Sequence, residues 1–277
     1  MMPVAPESVG DDGFAALMEK VARERGFRCA SYKERCLKRR VGVRMRTRGV
    51  LRYADYARLL DDDVSEYDRL IATLTINVTR LFRNCEAFDA IAQAVVPPLW
   101  EREGDQPLRV WSAGCAAGHE PYSLATLFHR HAESTGTIGR LSRLCIVGTD
   151  VDAAVLVAAE RAEFEESDFA ETPPDVRARY FGSRAPFPID ADVRRLVSFR
   201  RADLLSDAPP FPQPDLIVCR NVLIYFDRAS QDRLLRMFHD ALAPGGFLVL
   251  GKVETPFGAT RGMFTAVRVR ERVFRRA

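Results

Sequence analysis

At 277 residues, 47% of them hydrophobic, and a formal net charge of +3, the chain has the composition of an ordinary soluble globular protein with ample material for a core. No apolar run approaches the length that crosses a membrane, and the polar, acid-bearing start from Met1 to Asp12 resembles neither a signal nor a transit peptide. Six cysteines (Cys29, Cys36, Cys85, Cys115, Cys145 and Cys219) follow no C-x-x-C or Cys/His ligand spacing, which predicts no metal site and reduced, structural thiols in a cytoplasmic protein.

The small net charge hides an asymmetry. From Lys20 to Arg58 there are 14 Lys and Arg against 3 Asp and Glu, a local excess of +11, so the remainder sums to −8. This basic front reads as helices. Phe14, Leu17, Met18 and Val21 keep helical spacing. In Tyr32 to Gly49, Leu37, Val41, Met45 and Arg48 share one side of a helix capped by Gly49. Arg35, Arg39 and Arg46 fall within roughly 40° of one another on the opposite side, a cationic stripe facing solvent. Tyr53 to Leu60 resumes as a short helix.

From Leu108 strands and helices alternate: strand 108–111, helix 121–132, strand 144–150, helix 151–161, strand 215–219, helix 228–242, a turn at Ala243-Pro244-Gly245-Gly246, and strand 247–250. Phe264 to Arg276 reads as a closing hairpin. This alternation predicts an α/β, doubly wound parallel sheet. The stretch from Ala162 to Val197, with prolines at 173, 174, 186 and 188, reads as an insertion.

The turn after the first strand, W-S-A-G-C-A-A-G-H-E-P-Y-S-L-A (Trp111 to Ala125), has two readings, a ligand-holding loop or a purely structural strand–turn–helix. A phosphate-binding Walker loop needs Lys and Ser/Thr after its last glycine, where this chain has His119-Glu120. The dinucleotide fingerprint needs three glycines, spaced differently from Gly114 and Gly118. Glu120, near a helix N-terminus, would repel a phosphate there and suits a cationic group, and the glycines would let the backbone approach it closely. Asp150 ends the second strand and can accept from both hydroxyls of a ribose; the plainer alternative is that it caps the following helix. A nucleoside with an amino acid, a positive charge and no phosphate is S-adenosyl-L-methionine.

At this point three motifs, R-V-W-S-A-G-C-A-A-G-H-E-P-Y-S-L-A, G-T-D-V-D (Gly148 to Asp152) and D-L-I-V-C-R-N-V-L-I-Y-F-D (Asp215 to Asp227), resemble the chemotaxis-receptor methyltransferases, the CheR family. So do T-I-N-V-T-R-L-F-R (Thr75 to Arg83) and the basic Y-K-E-R-C-L-K-R-R helix. The resemblance runs in order from about residue 14 to the C-terminus. It implies a small all-helical N-terminal domain, placed at 1–84, and a Rossmann-like S-adenosylmethionine-dependent methyltransferase domain at 85–277. A short antiparallel β insertion within 162–200 would be supplied by Tyr180 to Phe199. It implies cofactor contacts at Asn77, Thr79, Arg83, Glu120, Asp150, Asp203, Arg220 and Asn221. Asp203 stands where the family often has Asn, and His119 where it often has an acid or amide.

The reaction implied is methyl transfer from S-adenosyl-L-methionine to glutamate side chains of methyl-accepting chemoreceptors, giving γ-glutamyl methyl esters and S-adenosyl-L-homocysteine. A glutamate with a pKa of about 4.3 is already ionised at neutral pH, so no general base is required. This fits motifs with no His–Asp or Cys–His dyad. Arg83 and Tyr225 are the candidates to orient the carboxylate, Arg83 by a bidentate fork and Tyr225 by its phenol. The stripe Arg35, Arg39, Arg46 would dock the glutamate-rich cytoplasmic helices of a transmembrane receptor. A monomer with no direct membrane insertion is expected. Two other readings remain: a non-catalytic cofactor-binding signalling module, and a nucleic-acid methyltransferase. Against the second, Arg220-Asn221-Val222-Leu223 has no Pro-Pro-aromatic face for a flipped base, and Cys219 lacks the preceding proline of a cytosine-5 nucleophile.

Overall fold

A computed structural model describes residues 13–75, 78–102, 104 and 106–277. They form two compact units, one of the described residues up to 75 together with Tyr225–Ser230, the other of 78–224 and 231–277.

The first unit holds four helices, α1 (Phe14–Arg25), α2 (Glu34–Thr47), α3 (Tyr53–Asp62) and α4 (Val64–Leu74). Their apolar stripes meet in one core: Leu17, Met18 and Val21 of α1, Leu37, Val41 and Met45 of α2, Tyr56 and Leu60 of α3, Tyr67, Leu70 and Leu74 of α4. The spacing of these residues at three and four positions is what makes each segment helical and one-sided. Gly26 ends α1 at φ 68°, and Gly49 at φ 68° follows α2. The Asp63 side chain caps α4 by accepting from the Ser65 amide at 3.2 Å. The stretch before α2 is stitched to residues 225–227: the Lys33 amide donates to the Tyr225 carbonyl, and the Asp227 amide to the Ser31 carbonyl, each at 2.9 Å.

In the second unit, α5 (Cys85–Ala94) and α6 (Val96–Trp100) lead into β1 (Leu108–Ala113), α7 (His119–Ser134), β2 (Leu144–Asp150) and α8 (Ala153–Arg161). Next come β3 (Glu163–Phe164), α9 (Pro174–Tyr180), β4 (Phe187–Pro188), α10 (Ala191–Arg194) and β5 (Val197–Arg201). The chain closes with β6 (Leu216–Cys219), α11 (Arg228–Ala241), β7 (Phe247–Leu250), β8 (Phe264–Arg268) and β9 (Val273–Arg276). The main sheet runs β5-β2-β1-β6-β7-β9-β8. Its first five strands are parallel, and the hairpin β8–β9 adds antiparallel to β7. The winding is double. Val110 joins the core formed with Leu124 and Phe128 of α7, while its neighbour Trp111, on the opposite face of the pleat, packs edge-on against Phe238 of α11 at 5.6 Å. Strand order reverses between β1 and β6, the switch point beside which open α/β sheets take ligands.

The insertion differs from the sequence expectation in its strands. Within Tyr180 to Phe199, Phe187–Pro188 pairs antiparallel with Glu163–Phe164, but Val197 onward is an edge strand of the main sheet, parallel to β2 with Val197 opposite Ile146. Phe199 explains this placement: its ring packs on Tyr122 of α7 at 5.7 Å, so the segment buries its aromatic in the sheet's own face. All six cysteines are free; Cys29, Cys115 and Cys219 are buried, but Cys145 is exposed. Among the described residues no helix is long and apolar enough to cross a membrane.

Candidate functional site

Parallel strands end together, so the residues just after β1, β2, β5, β6 and β7 share one edge of the sheet. After β1 the chain turns through Gly114 (φ 79°) and Gly118 (φ 83°). Both need glycine for internal reasons as well. A β-carbon on Gly114 would lie 2.6 Å from the Val222 side chain, and one on Gly118 would lie 2.9 Å from Ala159. What would meet a side chain at either position is the protein itself.

Asp150 ties this turn to the end of β2. One carboxylate oxygen accepts from the Ala116 amide at 2.9 Å and the other from the Asp152 amide at 3.0 Å. The helix-capping alternative falls to Asp152, whose side chain accepts from the Ala154 amide at 2.9 Å. Burial pushes the Asp150 carboxyl above the ordinary aspartate value, the two amides only partly opposing it.

Glu120 enters from the first turn of α7. Its Oε1 accepts from the buried Ser112 hydroxyl at 2.8 Å, and Oε2 lies 3.5 Å from Nη1 of Arg220. Burial raises its pKa in spite of the Arg220 charge. Arg220, just past β6, is itself buried, and burial lowers its pKa. Its Nη2 donates to the Arg83 carbonyl at 2.7 Å and to the Asn84 side chain at 3.2 Å, while Nε has no hydrogen-bond partner among the described residues. The charges of Glu120, Arg83 and Glu254 all bear on it, so the surroundings of Arg220 mix two carboxylates with a second guanidinium.

The segment carrying Arg83 is strained and tightly held. Phe82 and Asn84 have φ of 53° and 57°, a costly conformation for residues other than glycine. The Phe82 amide donates to Ser123 of α7 at 2.9 Å, the Leu81 amide to the Asp168 carbonyl at 3.1 Å, and the Asn84 amide to Glu171 at 2.6 Å. Arg83 is half-buried, its Nη1 donating to the Val78 carbonyl at 2.9 Å. Thr79 is half-buried in the same segment; Asn77 lies outside the described residues. Asp203 follows β5, whose last residue pairs with Asp150, but its Oδ1 is engaged locally by the Leu205 amide at 2.9 Å.

Two further motif residues lie in other surroundings. His119 is not an idle neighbour of Glu120. It is buried, edge-on to Phe164 at 5.1 Å, with Nε2 3.2 Å from an Asp168 carboxylate oxygen. The motifs contain no His–Asp pair; the fold brings His119 close to Asp168 with no hydrogen bond from either ring nitrogen among the described residues, because successive helix residues point about 100° apart and Glu120 alone turns to Arg220. Tyr225 is half-buried and belongs by its contacts to the helical unit. There Arg35, Arg39 and Arg46 are all exposed along α2, outside any ion pair among the described residues, whereas Arg48, placed on the apolar side by its spacing, pairs with Asp63 at 3.1 Å.

Family models cover both units. The model described as CheR methyltransferase, all-alpha domain, matches residues 12–75, and CheR methyltransferase, SAM binding domain, matches 77–273. This chain belongs to the CheR methyltransferase family. It is 35% identical over 237 residues to a chemotaxis protein methyltransferase of Listeria innocua, covering 84% of this chain and 86% of that one. It is 34% identical over 191 residues to chemotaxis protein methyltransferase 1 of Pseudomonas aeruginosa, covering 68% and 69%. It is also 39% identical over 225 residues, 80% of its length, to an uncharacterized 104.1 kDa protein of Rhodobacter capsulatus, of which it spans only 23%.

The sheet unit is thus the family's S-adenosylmethionine-binding domain, and its edge suits that cofactor. At that edge Glu120 has one hydroxyl and a guanidinium at 3.5 Å, and Nε of Arg220 has no hydrogen-bond partner among the described residues. Sequence reading missed Glu254, which organises this edge from the end of β7. It accepts from the amides of Gly251 at 2.6 Å, Asn221 at 3.0 Å and Ile224 at 3.2 Å. The signal was present in Gly251-Lys252-Val253-Glu254, an acid four residues past a buried strand.

Proposed function

We propose that this chain transfers the methyl group of S-adenosyl-L-methionine to glutamate carboxylates on the cytoplasmic helices of chemoreceptors, forming γ-glutamyl methyl esters. The observation that supports this reading best is the charge arrangement around Arg220: Glu120 at 3.5 Å, with the charges of Glu254 and Arg83 also bearing on the guanidinium and no histidine among them. Such a site orients ions and does not move protons. A glutamate nucleophile needs only that, being ionised at neutral pH.

In this reading Glu120 holds the cofactor's ammonium end and Arg83 and Arg220 the carboxylate end. Asp150 accepts from the ribose, and Asn77, Thr79, Asp203 and Asn221 complete the binding. The bound cofactor supplies an electrophilic methyl on a sulfonium. Arg83 and, as a separate candidate, Tyr225 are the residues proposed to orient the substrate carboxylate, so that the reaction gains chiefly from alignment. The exposed arginines of α2 meet the acidic receptor helix. The domain boundary that goes with this reading falls before Leu81, since Leu81 and Phe82 are buried with Phe88 in the sheet unit's core.

The test uses methyl-labelled S-adenosyl-L-methionine and receptor-containing membranes. Label that enters receptor protein and leaves as methanol in mild alkali is the expected outcome. Alkali-stable label, on protein or nucleic acid, would overturn the ester assignment.

A further inference from the structure

We infer that Glu254 is a positioning residue of this site: its buried carboxylate sets the conformation of the Arg220–Ile224 loop, and through that loop the affinity for the cofactor. The inference rests on the reading above, in which Arg220 and Asn221 contact the cofactor. Glu254 is 5% exposed and forms no ion pair among the described residues; its partners are amides. Oε2 takes the amides of Gly251 and Asn221, and Oε1 takes that of Ile224, so one side chain clamps the end of β7 to both ends of the loop after β6.

Two further features show how much the clamp constrains. Asn221 sits at φ 61°, a conformation that persists in a non-glycine residue only when its surroundings enforce it. Gly251 has no room for a side chain, since a β-carbon there would lie 2.6 Å from the Glu254 carboxylate and 2.7 Å from the Asn221 nitrogen. The choice of a carboxylate is chemical. Three converging N–H donors require acceptors on both oxygens, which an ionised acid provides and an amide does not, because one end of a Gln carries only donors. Burying an anion that makes no ion pair is costly, and what its amide bonds fix is the geometry of Asn221 and of the neighbouring Arg220, on which the Glu254 charge also acts and whose guanidinium reaches Glu120 and the Arg83 carbonyl.

The experiment compares the full chain with Glu254→Gln, Asn221→Ala and Leu141→Ala, reading the Kd for S-adenosyl-L-homocysteine by calorimetry and Tm by thermal unfolding. Leu141 is buried just before β2, at the opposite end of the sheet, and controls for general destabilisation. Glu254→Gln turns an NH2 toward at least one amide, and the Kd is expected to rise about tenfold, with KM for S-adenosyl-L-methionine rising in step and kcat little changed. Leu141→Ala is expected to lower Tm at least as much with Kd unchanged. If Glu254→Gln does not fold, Glu254→Asp, which retracts the carboxylate by one methylene, carries the same comparison. A Kd for the Glu254 variant within twofold of wild type, or a rise that Leu141→Ala reproduces, overturns the inference. An Asn221→Ala variant that binds normally while Glu254→Gln does not would remove Asn221 from the cofactor contacts and leave the positioning role standing.

Discussion

Glu66 in the helical unit is fully buried and Glu120 at the sheet edge partly so, and their surroundings treat them in opposite ways. Glu66 receives Nε and Nη2 of Arg44 at 2.8 and 2.7 Å and the Tyr56 hydroxyl at 2.7 Å, with Arg48 and Arg69 at 3.6 and 3.7 Å. Burial alone would raise its pKa, but these hydrogen bonds and charges bring it below the ordinary glutamate value. Glu120 has one hydroxyl and one guanidinium at 3.5 Å, and there burial wins and raises it. The first arrangement is finished without a ligand; the second is left short of positive charge. A helical module built to hold its shape can saturate its buried acid, whereas a cofactor site keeps an unmet charge at some expense in stability.

The largest effect that tests this contrast is in the helical unit. Glu66→Ala strands Arg44 and the Tyr56 hydroxyl, and breaking a buried pair of this kind costs about 3 kcal/mol or more. Urea unfolding of the full chain should show that loss with cofactor affinity retained at temperatures where the variant is folded; a loss below about 1 kcal/mol would erase the contrast. Glu120→Gln should do the reverse. It removes a partly buried charge while keeping an acceptor for Ser112, so stability of the free chain should hold or rise slightly. Affinity for S-adenosyl-L-methionine should fall about tenfold or more, the cost of losing one charge-assisted contact. A Glu120→Gln chain that melts earlier and binds normally would make Glu120 a structural residue.

How much of this was legible from sequence follows from the range of each signal. Helices 14–25 and 34–47 and strands 108–113, 144–150 and 247–250 announce themselves by local periodicity, and Glu120 and Asp150 by their position at strand ends. The partners of those residues are distant in sequence. Arg220 meets the Arg83 carbonyl across 137 positions, and Glu254 meets the Asn221 amide across 33; no spacing rule reaches that far. The same holds for His119, whose Asp168 neighbour lies in an irregular insertion with no periodicity of its own. Phe199 shows the converse failure: its segment has strand character, but only packing against Tyr122 decides which sheet it joins.

Acid titration separates the two glutamates by a smaller amount. Glu66 has a folded pKa below the ordinary value, so its contribution is complete above about pH 4.5 and is lost as pH falls through its folded value. Glu120 and Asp150 have folded values above the ordinary range, so their ionised forms weigh against the fold at neutral pH, and that cost disappears on acidification. A cation-bearing cofactor favours ionised Glu120, so affinity should begin to fall at a higher pH than stability does. Calorimetry and thermal unfolding across the range from neutral down to about pH 4 should give that order, and Glu120→Gln should flatten the first fall. Stability failing before affinity would break the comparison.

The smallest effect on the fold, and the most selective on function, is expected inside the helical unit itself. Arg44 lies against Glu66, but Arg35, Arg39 and Arg46 of the same helix are exposed and outside any ion pair among the described residues. Exposed charges contribute less than about 0.5 kcal/mol each to stability, and removing neighbouring like charges relieves repulsion. Replacing all three by Gln should therefore leave Tm and cofactor affinity near wild type. If the stripe steers an acidic receptor helix, methylation of receptor membranes should slow several-fold at low salt, the difference shrinking as ionic strength rises and screening shortens the reach of the wild-type charges. A triple variant that methylates receptors at the wild-type rate in low salt would assign the stripe to solvation alone, and would leave substrate recognition to the sheet edge.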